Sequence, residues 1–179
     1  MNAGRRRVAG WTAVELMTVL AVAAILLAIG VPAFRGLIEG QKLRTTANAL
    51  FTAVNLARSE AIRRGRRVDL VPAGDGSDWR NGWLVFIDRD NDQRPDAGET
   101  VVRVFPAVDG GMRIDAGFTD SKVQYVAFNG SGRTRTNASS QTAQSGSWHL
   151  ALGTRSRKVV INFLGRPRVC NPAAEPDTC

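Results

Sequence analysis

From Trp11 to Phe34 the chain carries a single charged residue, Glu15, and no other feature narrows its possible folds as much. About 20 apolar residues are enough to cross a bilayer as a helix, and in hydrocarbon a helix satisfies its own backbone polar groups. Arg5, Arg6 and Arg7 precede the run. The positive-inside rule then leaves the N-terminus in the cytoplasm and the rest of the chain outside. An ordinary secretory signal has a shorter apolar core with its small-residue cleavage site behind it. Here the small pair Ala9-Gly10 stands in front of the run.

The helical pattern continues past the apolar run. Leu43, Ala47, Leu50, Val54, Ala57 and Ala61 recur at steps of four and three, which places them on one face. Arg44, Asn48, Asn55, Arg58 and Ser59 fall largely elsewhere. Arg63-Arg64-Gly65 supplies basic last-turn residues and a glycine stop. Pro32 lacks a backbone donor and should kink or loosen the helix. After Gly65 the pattern changes to short β-type runs: 68–71, 83–87, 101–105, 123–128, 148–152 and 159–164. The polar stretch 129–147 reads as a long hairpin or mobile loop, and no internal repeat is read from the chain. The predicted fold is α+β, a long N-terminal transmembrane and amphipathic helix packed on a C-terminal antiparallel β-sheet head. Its expected parts are a leader (1–10), a transmembrane half-helix (11–35), an amphipathic half-helix (36–65) and a β-rich head with a basic tail (66–179).

Charge is segregated along the chain. Residues 68–120 hold eleven acids against five arginines, whereas 121–174 hold eight basic groups and no acid. Such segregation bears on partners rather than on fold. The only cysteines, Cys170 and Cys179, sit close together near the C-terminus. They read as one loop-closing disulfide and hence an oxidising compartment, the alternative being two free thiols.

The residues around the leader junction are Gly10-Trp11-Thr12-Ala13-Val14-Glu15-Leu16. A basic leader ending in glycine, an aromatic residue, and a glutamate four residues later in an apolar helix together resemble the prepilin signal of type IV pilins and type II secretion pseudopilins. The resemblance implies that a prepilin peptidase cuts after Gly10 and that Trp11, where the family usually has Phe, becomes N-methylated. It also implies that Glu15 pairs with a neighbouring subunit's N-terminal amine to set register, and that Pro32 softens the helix during assembly. A carboxylate inside a membrane helix costs about 2.5–3.5 kcal/mol on insertion scales, so a partner for Glu15 is expected on physical grounds as well. Residues 57–61, 82–88 and 159–168 extend the resemblance to the FimT and GspH group. Some FimT-like members bind DNA through a C-terminal Gly-Arg-x-Arg motif, which Gly165-Arg166-Pro167-Arg168 fits.

Guanidinium groups grip phosphates in bidentate fashion, and in an extended segment Arg166 and Arg168 point to the same side. Arg133, Arg135, Arg155, Arg157 and Lys158 could widen the patch if their loops converge. No aromatic residue interleaves with these arginines, so the expectation is sequence-independent backbone contact. Asp88, Asp90, Asp92, Asp96 and Glu99 have the offsets of a calcium loop, but Gln93 replaces its turn glycine and the flanks read as strands. An acidic hairpin loop is the preferred reading, with no metal and no cofactor expected. The lone His149 has no nucleophile to serve, so no enzyme is expected, and Trp79, Trp83 and Trp148 read as core or hairpin packing rather than a sugar platform.

The expected function is a minor pilin that assembles into or primes a pilus and binds DNA non-specifically for natural transformation. The alternative is a GspH-like pseudopilin with a purely structural role. Expected partners are other pilin subunits, the prepilin peptidase, double-stranded DNA, and the bacterial inner membrane before assembly, with the head in the periplasm.

Overall fold

The computed structural model describes residues 12–108, 110–120, 124–137, 139 and 142–179, the side chains of Pro32 and Ala33 excepted. Among the described residues one α-helix, α1 (Ala13–Arg64), is followed by nine strands and, between the first two of them, a single 3-10 turn (Trp79–Asn81). The strands are β1 (Val68–Pro72), β2 (Trp83–Ile87), β3 (Thr100–Phe105), β4 (Arg113–Phe118), β5 (Val126–Phe128), β6 (Thr134–Arg135), β7 (Gly146–Leu152), β8 (Arg155–Ile161) and β9 (Pro167–Cys170). The chain divides into two units, 1–38 and 39–179, with α1 passing through the boundary.

In the first unit most described side chains of α1 are exposed. Leu16, Met17, Leu20, Ile25, Leu26 and Leu27 all present their side chains outward. The helix is long and apolar enough to cross a membrane, and its assigned extent passes through Pro32 without a break.

In the second unit the face expected from the sequence is buried. Leu43, Ala47, Leu50, Val54, Ala57 and Ala61 are each at most 1% exposed, and Ala53 joins them. The strands form a five-stranded sheet, β3-β2-β1-β5-β6, and a four-stranded sheet, β4-β7-β8-β9, with every pairing antiparallel. One continuous core joins the helix stripe to Val68, Leu70, Val85, Leu150, Val159 and Ile161. The three expected core tryptophans lie in it, with Trp79 and Trp148 edge to face at 5.1 Å. The helix ends as expected. Gly65 takes φ +61°, its N–H donates to Ile62 O, and the Arg66 N–H donates to Ala61 O, which is a Schellman termination.

Three strands escape the sequence reading. Strand β4 mixes Arg, Asp and Gly with its apolar residues, β6 has two residues, and β9 begins with a proline. The charged start of β8 hid its true beginning at Arg155, and β8 ends at Ile161 rather than at 164. The stretch 129–147 contains β6 and the first residues of β7. Its Gln144 is fully buried, accepting from the Ala127 N–H and donating to Tyr125 O.

The second face of the large sheet is also dry. Val71, Phe86, Tyr125 and Ala127 form a small apolar cluster there. Asp69 lies on that face by strand alternation, fully buried, and Arg67 donates to both of its carboxylate oxygens at 2.8 and 2.7 Å. The Arg67 guanidinium also lies 3.4 Å from buried Asp88. Two carboxylates therefore share one cation. Burial pushes the Asp69 carboxyl up to about 7 despite the opposing pull of Arg67. Between its ordinary value of 3.8 and about 7, the folded chain holds a proton that the unfolded chain has released. The stabilisation from this site is thus complete below the lower value and is lost as pH rises through about 7. The full chain in detergent should show a melting temperature that falls from pH 5 to pH 8, this site contributing at most about 1.4 kcal/mol per pH unit. Asp69→Asn, neutral throughout, should flatten that trend in circular-dichroism melts. An unchanged slope would show that Asp69 does not carry the proton.

Candidate functional site

Gly10 and Trp11 lie outside the described residues, as does the Pro32 side chain. The first described residue, Thr12, closes a reciprocal cap with Glu15. The Thr12 N–H and hydroxyl donate to Glu15 Oε2 at 3.0 and 3.1 Å, and the Glu15 N–H donates to Thr12 Oγ1 at 3.2 Å. This is a capping box, and its Thr-x-x-Glu signature ahead of an apolar run was readable in the sequence. Glu15 therefore has a partner within its own chain.

The C-terminal turn has a well-defined frame. Asn162 Oδ1 accepts from the N–H groups of Leu164 and Arg166 at 3.1 and 3.0 Å, and Asn162 O accepts from the Gly165 N–H at 2.8 Å. Gly165 takes φ +76°, and a Cβ there would lie 2.6 Å from Phe128 Cε1. Both the backbone angle and the close approach require glycine. Arg166 is exposed in the turn, and Arg168 is exposed on β9, the open edge of the four-stranded sheet. The Arg168 Nη2 group donates to Thr178 O. Cys170 and Cys179 form the expected disulfide, with their Cα atoms 5.7 Å apart, and so hold this tail beside Arg168. Phe163 in the same turn is 60% exposed, so one aromatic ring does accompany the arginines.

The wider patch is only partly brought together. The β5–β6 turn carrying Arg133 packs on the C-terminal turn, Thr134 Oγ1 donating to Phe163 O at 3.0 Å. Arg58, which sequence reasoning placed only on the helix surface, donates through Nε to Gly132 O at 3.0 Å. Arg135 lines a recess of about 300 Å³ with Arg66, Arg67 and Asn129. Lys158 pairs in register with Cys170, two positions from the partner of Arg168. Arg155 and Arg157 stand apart, because they occupy the start of β8 whereas β9 pairs with its end. The Arg155 guanidinium lies over Gly40 of α1.

The acidic loop is built largely for itself. Asp88 accepts from the Asn91 N–H at 2.6 Å and Glu99 from the Arg89 N–H at 2.5 Å. Gln93 takes φ +65°, adopting the backbone angle for which a calcium loop uses glycine. Asp88, Asp90 and Glu99 group together, as do Asp90, Asp92 and Asp96. Asp88 is already shared with Arg67.

Residues 46–165 match the family described as Type II transport protein GspH. Among curated proteins, the Pilin-like protein PilA1 of Thermus thermophilus is 36% identical over 92 residues, or 50% of this chain and 54% of that protein. The chain thus spans about half the length of that relative. The crystal structure of type IV minor pilin FimU of Pseudomonas aeruginosa aligns with a TM-score of 0.57 at 18% identity, covering 75% of this chain and 92% of that one. The minor pseudopilin EpsH from the Type 2 Secretion System of Vibrio cholerae aligns with a TM-score of 0.51 at 12% identity, covering 73% and 98%. These two likenesses establish the fold.

The capping box and a charge-pairing role for Glu15 can be separated. Gln at the third helical position also closes a capping box, so Glu15→Gln should leave the helix start and membrane insertion unchanged. If the charge serves a neighbouring subunit's amine, recovery of this variant in sheared filaments should fall at least tenfold. Recovery equal to wild type, with loss only in Glu15→Ala, would assign Glu15 to the cap alone.

Proposed function

Because the chain belongs to the GspH family of type II transport proteins, we propose that it is a minor pilin that binds DNA non-specifically through Gly165–Arg168. Membership of the family implies association with other pilin subunits, and the apolar half of α1 fits membrane anchoring. The order of events is cleavage of the leader after Gly10, methylation of Trp11, residence in the inner membrane with the head in the periplasm, and then assembly into the filament.

The observation that carries the DNA reading is the local charge at the C-terminal turn. Arg166 is exposed on a frame held by Asn162 and Gly165, in a segment of the chain without a single acid between 121 and 174. Arg166 has no carboxylate within eight residues of it in sequence, and an exposed guanidinium of that kind favours phosphate as the counter-charge. Arg63 and Arg64 differ, because Glu60 pairs with both at 2.6 and 2.7 Å. The pseudopilin alternative, a structural subunit that does not bind DNA, is favoured by the likeness to EpsH.

The test uses the full chain in detergent micelles with labelled duplexes of unrelated sequence. Binding should be weak, on the order of micromolar, with little sequence preference and a steep loss as salt rises. Arg166→Gln with Arg168→Gln should remove most of it and lower the salt slope by about two phosphate contacts. Arg63→Gln with Arg64→Gln should change little. Equal loss from either pair would point to diffuse charge, and no binding at low salt would leave the structural subunit role.

A further inference from the structure

The C-terminal turn has a twin. Asn162-Phe163-Leu164-Gly165-Arg166-Pro167-Arg168 is matched by Asn129-Gly130-Ser131-Gly132-Arg133-Thr134-Arg135, so the chain contains Asn-x-x-Gly-Arg-x-Arg twice. The two copies fold alike. Asn129 Oδ1 accepts from the Ser131 and Arg133 N–H groups at 3.1 Å each, as Asn162 Oδ1 does from Leu164 and Arg166. The Gly132 and Gly165 N–H groups each donate 2.8 Å to the carbonyl of their own asparagine. The asparagine N–H groups in turn donate to Arg133 O and Arg166 O at 3.0 and 3.3 Å. The glycines take φ +72° and +76°. Each turn leads into an edge strand, β6 of one sheet and β9 of the other.

The twins touch. A Cβ on Gly165 would lie 3.0 Å from Gly132 O, and Thr134 Oγ1 reaches across to Phe163 O. The end of α1 clamps the first turn: Arg58 Nε donates to Gly132 O, and a Cβ on Gly132 would lie 2.6 Å from Ile62 Cδ1. Arg133 and Arg166 are therefore equivalent positions of two rigid turns in contact, both exposed. Among the described residues neither guanidinium has an ion-pair partner. Arg135 Nε is buried without a hydrogen-bond partner. Arginines carried on two turns in contact add their positive potentials, and a chain of phosphates supplies several anions in a row.

We infer that the twin turns form one composite phosphate-binding surface for duplex DNA, in which Arg133 and Arg166 contact the backbone together with Arg58 and Arg135 beside them. This rests on the DNA reading above and adds a second contact point to it, on the other sheet. Pairing two guanidinium turns lets one duplex engage both at once, so the second contact forms at high effective concentration once the first is made.

The experiment measures duplex affinity against salt for the full chain in detergent, comparing wild type with Arg133→Gln, Arg166→Gln, the double variant and Arg44→Gln. Arg44 lies on α1 fourteen residues before Arg58, about 21 Å along the helix. Each single turn variant should weaken binding several-fold at 50 mM salt and lower the slope of log K against log salt by about 0.9. The double should lower it by about twice that, and Arg44→Gln should match wild type. Arg133→Lys, which keeps the charge without the fork, should retain the slope if the contact is made, and it guards against a folding artefact in Arg133→Gln. Loss with Arg166→Gln but wild-type behaviour of Arg133→Gln would overturn the composite surface while leaving the DNA reading intact. Absence of binding by wild type would overturn both. Equal weakening by Arg44→Gln would replace the surface with general positive charge.

Discussion

The whole head depends on one stripe of α1. Leu43, Ala47, Leu50, Ala53, Val54, Ala57 and Ala61 are buried to within 1%, and four of the seven are alanine. Alanine lets other backbones come close, and it costs nothing in helix propensity. Both sheets share the resulting core, so removing a leucine such as Leu50 would be felt in each, at about 2–5 kcal/mol. The stripe also decides where the head's edges fall. Gly65 stops the helix against Gly130, and Ile62 and Arg58 hold the β5–β6 turn. The charged turns are thus located by apolar packing several residues away.

Several acids pair with arginines inside the chain. Asp69 and Asp88 share Arg67, Asp78 pairs with Arg80, Asp115 with Arg113, and Glu60 with Arg63 and Arg64. The exposed pairs among these contribute about 0–1 kcal/mol each, but they cancel local charge. Arg133, Arg135, Arg166 and Arg168 gather where β6 and β9 begin, and charge placed locally in this way is a matter of recognition rather than of solubility.

Much of this was legible from periodicity. The step of three and four along α1 gave the buried face, a short apolar run gave β2 to the residue, and the glycine stop fell at Gly65. Strands β4, β6 and β9 were not legible, because a short edge strand with one buried side needs few apolar residues and tolerates Pro167 at its start. The capping box was written plainly as Thr12-x-x-Glu15, in the same glutamate that the prepilin resemblance assigns to a neighbouring subunit. The twin turns were also present in the sequence, but a seven-residue repeat 33 positions apart is too short to mark repeated structure until its hydrogen bonds are seen. Whether Arg133 and Arg155 would converge on the C-terminal turn depended on strand order, which only the fold supplies.

A helix with this apolar first half is suited to two solvents, lipid for that half and the protein head for its second. Spin labels at Leu26 and Ser59 of the full chain in bilayers test this directly. Both side chains are exposed, yet they should face different media. The label at Leu26 should relax strongly with molecular oxygen, which concentrates in hydrocarbon, and weakly with a water-soluble nickel chelate. The label at Ser59 should do the reverse. A Leu26 label as accessible to nickel as the Ser59 label would show that the apolar half of α1 does not lie in lipid.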